Sequence, residues 1–372
     1  MDFTLCLTHD CNQRCRYCYA GRKFKKRMSW RTAKHAVDFA VDYTVQRLPP
    51  HRIQLGFFGG EPILEWEMIP RATEYLERRA DEHDIALKKT LTTNATLLGR
   101  ERADYLAGHD FYVGLSIDGN KRMHDRTRRF RNGHSSHARC SRALDFYRGP
   151  EARAEVIITV DPDNVEFLGE SVRWLSDQDV CSISLNPNFY TKWPETSRAM
   201  WRQGYEEAAD VYVENFRRPR YFRVNFIDGK IKTRLEQGYR KCDRCSFGET
   251  EIAVAPSGNI YPCERLVAED ESEEMRIGNV FDGFDEEKRL ELLKKRGGSN
   301  PECGECVLRE RCMHWCGCIN YATTGAIDKV HEVVCFHEQL TIEVADRVAA
   351  TLYDESNPYF LAKFYEQTEQ IS

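Results

Sequence analysis

Along roughly the first 205 residues, hydrophobic positions switch repeatedly between strand and helix spacing. FTLCLT (Phe3 to Thr8) reads as a buried strand. Ser29 is placed to cap a helix to about Gln46, with Ala33, Ala36, Val37, Phe39, Ala40 and Val41 on its apolar face. RIQLGFFG then predicts a strand and Leu64 to His83 a helix. ALKKTLTTN, YVGLSIDG, AEVIITVD and SISLNP follow as four more strands. Between and after them, Glu101 to Ala107, Ser135 to Tyr147, Val165 to Leu175 and Pro194 to Phe216 carry helical periodicity. Regular strand–helix alternation implies βαβ units around a parallel sheet. Six such units predict an α/β fold built as a partial (β/α)6 TIM-type barrel. No GxGxxG sequence is present, so a dinucleotide-binding Rossmann domain is unsupported.

The pattern changes after residue 216. Residues 217–241 read as a basic, aromatic bridge with a turn at Asp228-Gly229. Residues 242–340 form a cysteine-rich module broken by turns at Pro256-Ser257-Gly258 and Gly297-Gly298, with one charged helix over Asp285 to Arg296. Residues 341–372 are expected to be a C-terminal helix, its amphipathic stretch running from Glu338 to Leu352. The acidic run Glu269 to Glu274 reads as a solvated loop.

Composition narrows the function classes. With 54 Lys and Arg against 59 Asp and Glu, the net charge is −5, which disfavours broad nucleic-acid binding. No apolar stretch approaches the roughly 18 residues of a membrane span, and no signal-peptide core opens the chain. The expected compartment is the cytoplasm, where thiols stay reduced and the 15 cysteines suggest metal or cluster ligation rather than disulfides.

Three cysteines follow the first strand with CxxxCxxC spacing: Cys11, Cys15 and Cys18. Three thiolates can hold a cubane cluster and leave one iron open to a substrate or cofactor. A zinc site completed by His9 or Cys6 is the alternative. Other motifs fall at the ends of predicted strands: FFGGEP (Phe57 to Pro62), LTTN with Thr93 and Asn94, and SIDG with Ser116 and Asp118. After them comes HDxxRxxxxG (His124, Asp125, Arg128, Gly133). Barrel folds build their sites at those strand ends.

With these motifs the chain resembles the radical S-adenosylmethionine (SAM) superfamily, over nearly its whole length. The resemblance implies that Cys11, Cys15 and Cys18 ligate a [4Fe–4S] cluster. It places Tyr17 beside adenine, and Gly59, Gly60, Glu61 and Pro62 at the methionine amino group of SAM. Thr93, Asn94, Ser116 and Asp118 are placed along ribose and the methionine moiety. Arg128 is implied to grip the carboxylate, and Leu185 and Asn186 to lie near adenine. Glycines permit close backbone approach, and a guanidinium forks onto a carboxylate.

A second set resembles the SPASM extension of peptide-modifying radical SAM enzymes. Twelve residues separate Cys245 from Gly258, and four more lead to Cys263. Cys303, Cys306, Cys312 and Cys316 follow with CxxCxxxxxCxxxC spacing, then Cys335. The resemblance implies two auxiliary [4Fe–4S] clusters, making three in all. Cys303, Cys306, Cys312 and Cys335 would hold one. Cys245, Cys263 and Cys316 would hold the other, with Cys242 as fourth ligand; if Cys242 is not that ligand, one iron is open to substrate. Cys6, Cys140 and Cys181 read as small core residues, and Cys318 is left out as a spare.

The implied chemistry is reductive cleavage of SAM to a 5′-deoxyadenosyl radical, which abstracts hydrogen from an unactivated C–H bond. The expected substrate is a ribosomally made peptide, oxidised to a thioether or carbon–carbon cross-link. One alternative, shared with anaerobic sulfatase maturases, is formylglycine formation on a protein, with Glu264 as a catalytic base. The other is a zinc-bound interaction module without redox activity. An external one-electron reductant is required. Ten residues precede Cys11 and 37 follow Cys335, so no fused leader-binding domain is expected. A leader would dock on the barrel, on the cysteine-rich module or on a separate leader-binding protein. The basic runs Arg22 to Arg27 and Arg126 to Arg131 suit an acidic leader. Neither nucleic acid nor membrane is an expected partner.

Overall fold

A computed structural model describes residues 1–296 and 300–366. The six expected strands form in order: β1 (Asp2–Cys6), β2 (Arg52–Phe58), β3 (Ala86–Thr93), β4 (Phe111–Ser116), β5 (Ala154–Val160) and β6 (Ser182–Pro187). They pair in parallel and in sequence, with Phe3 opposite Leu55, Leu91 opposite Val113 and Ile158 opposite Leu185. Fully buried Leu5, Leu55, Leu91, Val113, Ile158 and Ile183 form their core-facing rows. This is the partial TIM-type α/β architecture that the alternation predicts.

Local chemistry sets the flanking helices. Ser29 Oγ accepts from Thr32 N at 3.1 Å and starts the helix Trp30–Val45. The second helical stretch begins instead as a single 3-10 turn, Pro62–Glu65, before the α-helix Met68–Asp81. Pro62 sits at the first position of that turn, where its missing N–H costs nothing. The expected helix from Ser135 to Tyr147 divides into His137–Ser141 and a 3-10 stretch, Arg142–Phe146.

The bridge differs from expectation. Asp228-Gly229 makes no turn; both residues lie inside the helix Asn225–Leu235, preceded by a two-residue strand β7 (Arg223–Val224) beside β6. Phe226, Ile227, Lys230, Ile231 and Thr233 are buried at helical spacing. Burial of that face overrides the turn propensity of an Asp-Gly pair.

The cysteine-rich segment continues the same sheet. β8 (Glu251–Val254) pairs in parallel with the free edge of β1 and forms a hairpin with β9 (Asn259–Tyr261) through the expected Pro256-Ser257-Gly258 turn. β10 (Gly278–Asn279) and β11 (Gly283–Phe284) extend that edge. The helix Glu286–Lys295 matches expectation, while the C-terminal helix starts earlier than expected, at Glu332, and ends at Asp354 before a separate short helix Pro358–Leu361; Glu332–Asp354 packs on Asn225–Leu235 and Glu195–Arg217. The expected Gly297-Gly298 turn and the last six residues of the C-terminal stretch lie outside the described residues. No helix among the described residues is long and apolar enough to cross a membrane.

The acidic run is solvated only in part: Glu271, Glu273 and Glu274 are exposed, but its first two residues are not free. The Asp270 side chain is fully buried and accepts from Lys26 Nζ (3.0 Å), Asn259 Nδ2 (2.9 Å) and Tyr261 Oη (3.1 Å). Glu269 Oε1 accepts from Arg22 N at 2.9 Å. The run therefore docks on the basic stretch that follows the first three cysteines. In the other basic run, Arg126 pairs with Glu166, Arg128 with Asp118 and Arg131 with Asp10. Much of the charge expected to greet an acidic leader is engaged within the chain.

Candidate functional site

The loop after β1 carries Cys11, Cys15 and Cys18 over the C-terminal ends of the strands. Two glycines hold it there. A Cβ on Gly60 would sit 2.0 Å from Asp10 O, and one on Gly59 2.6 Å from Thr8 O. Their absence lets Gly60 N donate to Thr8 O (2.7 Å) and Glu61 N to Asp10 O (2.8 Å). The glycine pair thus binds the cysteine loop to the end of β2.

The three thiols line a cavity of about 240 Å³ together with Tyr17, Gly59, Gly60, Glu61, Thr93, Asn94, Ser116, Arg128 and Asn186. Of the other expected cofactor residues, Pro62 and Asp118 are buried behind this wall. Leu185 faces a neighbouring cavity of about 170 Å³, which Asn186 also lines. Amide groups approach the thiols: Asn94 Nδ2 lies 3.6 Å from Cys11 Sγ, and Gln13 N 3.4 Å from the same sulfur. Arg128 Nη1 stands 4.0 Å from Cys15 Sγ.

Asp118 organises one side of the cavity. Its Oδ1 accepts from Thr159 N (2.9 Å) and pairs with Arg128 Nε (3.2 Å). Its Oδ2 accepts from Tyr17 Oη (2.5 Å) and Thr127 Oγ1 (3.2 Å). Burial opposes the Arg128 charge, but Asp118 and the surrounding Tyr17, Cys15 and Cys140 raise its pKa well above the usual arginine range. The guanidinium is thereby fixed beside Cys15, with the Tyr17 ring 5.3 Å away. Behind it, Asp118 N donates to His124 Nδ1 (3.3 Å), so the proton resides on Nε2 and faces Ser136 Oγ at 2.9 Å. Burial, aided by Arg128, pushes His124 well below its ordinary pKa and keeps it neutral.

Glu61 is buried and closes the opposite side. Thr93 Oγ1 (2.6 Å), Ile63 N (3.1 Å) and Asn94 N (2.7 Å) donate to its carboxylate. Burial raises its pKa against these hydrogen bonds. Glu61 therefore ties the end of β2 to the end of β3, a structural duty beyond the one the motif implies.

The far wall comes from elements that the strand-end motifs do not include. Tyr19 stacks against Phe58 (6.3 Å) and Tyr190 (5.9 Å), and the Arg265 guanidinium lies 5.0 Å from the Tyr19 ring centre. Glu264 and Arg265 both line the cavity, and the Cys263 thiol donates to Glu264 Oε2 at 3.6 Å. Arg265, Tyr19 and Tyr190 were not among the residues expected from sequence. Their signal is only adjacency to cysteine motifs, which does not show where they point.

Beyond that wall the remaining thiols gather in two groups. Cys303, Cys306, Cys312 and Cys335 line one small cavity of about 40 Å³ with His314 and Glu338. Cys316 Sγ and Cys318 Sγ are 3.6 Å apart, with Cys263 in hydrogen-bonding reach of Cys318 and Cys245 close by. Cys242 is exposed. Among the described residues no three histidine, cysteine or carboxylate side chains converge on a single-ion position.

Residues 5–148 match the Radical SAM superfamily. They form a radical SAM domain. The family implies SAM and a [4Fe–4S] cluster, and the three thiols with their adjoining cavity fit that pair. Over 82% of its length the chain is 24% identical to a cysteine-type anaerobic sulfatase-maturating enzyme of Clostridium perfringens strain 13, covering 85% of that protein. It superposes on native anSMEcpe with bound AdoMet at a TM-score of 0.79, 19% identical, covering 95% of this chain and 99% of the other. The same enzyme with a bound Cp18Cys peptide superposes at 0.76. Streptococcus suis SuiB bound to precursor peptide SuiA matches at 0.57, 16% identical, over 90% of this chain and 75% of SuiB. The chain is an enzyme that carries a radical SAM domain, with relatives among the maturases.

Proposed function

We propose that this radical SAM enzyme oxidises a side chain of a ribosomally made peptide, closing a thioether or carbon–carbon cross-link. One observation carries the reading: a single cavity has Cys11, Cys15 and Cys18 on one wall and Glu264 and Arg265 on the other, with the buried Cys263 thiol bonded to Glu264 behind it. Cys11, Cys15 and Cys18 would hold the cluster and the adjoining cavity SAM, and the pair would supply radical hydrogen-abstraction chemistry. The chain's residues do the rest. Arg128, held by Asp118, offers a fixed cation for the SAM carboxylate, and Tyr17 and Asn186 border the nucleoside side. The stacked rings of Phe58, Tyr19 and Tyr190 line one side of the cavity. Two auxiliary clusters, three in all, are the proposed acceptors for the electron left after hydrogen abstraction. Domains are assigned as a barrel over 1–216, a bridge over 217–241, the auxiliary-cluster module over 242–340 and a C-terminal helical part from 341.

A second reading, formylglycine formation on a protein, is favoured by one feature. Glu264 faces the cavity directly after Cys263, where it can take a proton from an oxidising cysteine. The likeness to sulfatase-maturating enzymes supports it. An external one-electron reductant and a cytoplasmic setting are proposed for either reading, and a separate leader-binding protein for the first.

The test is anaerobic incubation with SAM, dithionite and cysteine-containing candidate peptides, read by mass spectrometry. Loss of two hydrogens with sulfur retained supports the cross-link; conversion of cysteine with loss of sulfur supports formylglycine. Purified chain carrying zinc in place of iron, with no 5′-deoxyadenosine formed, would remove both.

A further inference from the structure

Four charged side chains line the cavity that Cys11, Cys15 and Cys18 share: Glu61, Arg128, Glu264 and Arg265. Three of them have partners. Glu61 accepts from Thr93, Ile63 and Asn94, Arg128 pairs with Asp118, and Glu264 accepts from the Cys263 thiol. Arg265 has none. Among the described residues its guanidinium makes no hydrogen bond and no ion pair, and it lies over the Tyr19 ring, 5.0 Å from the ring centre. The neighbouring cavity shares Asn186, Pro187 and Arg265 with the first. Its other lysine and carboxylate, Lys230 and Glu338, are bonded to each other at 2.6 Å. Arg265 therefore stands where two cavities meet, as a cation without a counter-charge.

The local backbone explains why its neighbour does not neutralise it. Glu264–Leu266 is a single 3-10 turn directly after Cys263. At three residues per turn, adjacent side chains point about 120° apart, so Glu264 is engaged by Cys263 while Arg265 is left to the cavity. The thiols of Cys263 and Cys318 attract the guanidinium from behind the wall, but its N–H donors stay unsaturated. An unmatched cation half removed from water carries a desolvation cost that an anion offsets. The planar fork suits a carboxylate, which it can hold by two parallel N–H···O bonds. The SAM carboxylate already has Arg128 as its proposed cation, which leaves Arg265 for an anion on the peptide.

We propose that Arg265 selects the peptide substrate by a carboxylate close in sequence to the oxidised side chain, from an aspartate or glutamate or from the peptide's own C-terminus. This rests on the peptide-oxidation reading above and deepens it by naming a feature of the substrate. A cavity of about 240 Å³ admits only a short stretch of extended chain, at about 3.4 Å per residue, so the carboxylate lies within about three residues of the target. Tyr190, 41% exposed, lines the same wall and opens it to solvent, where a peptide enters.

The probe is a random heptapeptide library with a central cysteine and no other, made once with an amidated and once with a free C-terminus. Each pool is incubated anaerobically with iron-loaded enzyme, SAM and dithionite, and modified peptides are sequenced by tandem mass spectrometry. Wild type should enrich aspartate or glutamate at one position by at least about tenfold, or modify the free-acid pool at least about tenfold better than the amide. The first result assigns the carboxylate to a side chain and the second to the C-terminus. Arg265→Gln should abolish the preference, Arg265→Lys should keep it in weakened form, and Arg265→Glu should turn it toward lysine or arginine. Iron content and peptide-independent 5′-deoxyadenosine formation should match wild type, which reports an intact fold and SAM site. If Arg265→Glu loses iron, the Gln and Lys variants decide the matter. A residue that only balances the charge of the nearby thiols would behave otherwise: its replacement would shift the auxiliary redox potential and leave the peptide preference unchanged. That result overturns the proposal, as does a wild-type product pool with neither an acidic position nor a dependence on the free C-terminus. A library left unmodified by enzyme that still cleaves SAM would instead defeat the peptide-oxidation reading, and this proposal with it.

Discussion

Replacing Lys230 by Met tests the junction between barrel and cysteine-rich module. Lys230 and Glu338 have side chains only 4% and 2% exposed, with Nζ 2.6 Å from Oε2. Lys230 also donates to Arg311 O (2.7 Å) and Tyr239 Oη (3.2 Å), while Glu338 accepts from Met313 N at 2.7 Å. One pair thus joins the helix Asn225–Leu235, the residue after Cys312 and the C-terminal helix. Burial alone would raise the Glu338 pKa, yet Lys230 and His337 bring it down to about 2. Taking away the ammonium strands a buried carboxylate, which costs about 3–5 kcal/mol. At about 1.3 °C per kcal/mol for a chain of this size, the melting midpoint should fall by roughly 4–6 °C. The pH dependence has a definite sign. Paired, Glu338 stabilises the fold fully above its ordinary value of 4.5, and this is lost as pH falls toward about 2. Unpaired, its folded pKa rises instead, so the variant's deficit should shrink as pH drops from about 8 to 5. Anaerobic thermal scans of wild type, Lys230→Met and Lys230→Met/Glu338→Gln measure these effects. The double variant should regain part of the loss. A drop below about 1 kcal/mol, or a double variant no better than the single, would refute the buried-pair argument.

Three further outcomes are expected. Gly229 lies inside a helix with nothing within 4 Å of an added Cβ, so Gly229→Ala should stabilise by about 0.5–1 kcal/mol in urea titrations; destabilisation would restore the turn reading. Gly60→Ala drives a methyl into Asp10 O and should displace the cysteine loop, lowering 5′-deoxyadenosine formation at least about tenfold, by about 1.4 kcal/mol or more in barrier. Cys15→Ala should make no 5′-deoxyadenosine and lose about four irons by colorimetric assay, whereas persistent product would contradict its assignment to the SAM cluster.

The order of the six strands is legible in the sequence because each is a local pattern, alternating or continuous, closed by a turn residue. The CxxxCxxC loop and the glycine pair are legible for the same reason, since spacing along the chain determines what a loop can present. The helix at Asn225–Leu235 was missed because Asp-Gly has a local turn preference that only a distant packing surface, the C-terminal helix, overrules. The acidic run at Glu269 to Glu274 read as solvated because its partner, Lys26, lies 244 residues from Asp270.

The sequence by itself determined the chemical inventory of this protein: parallel βαβ units, thiols in sets, and polar residues at strand ends. Tertiary structure decided how that inventory is used. Folding turns Asp118 toward Arg128 and Tyr17, and commits Glu61 to Thr93 and Asn94. It also attaches β8 to β1 and brings Arg265 to the Tyr19 ring. Cys318 changes from a spare thiol to a neighbour of Cys316 and Cys263 in the same way. Spacing constrains groups a few residues apart, while charge pairing, burial and ring stacking act through space between groups that the chain order keeps far apart.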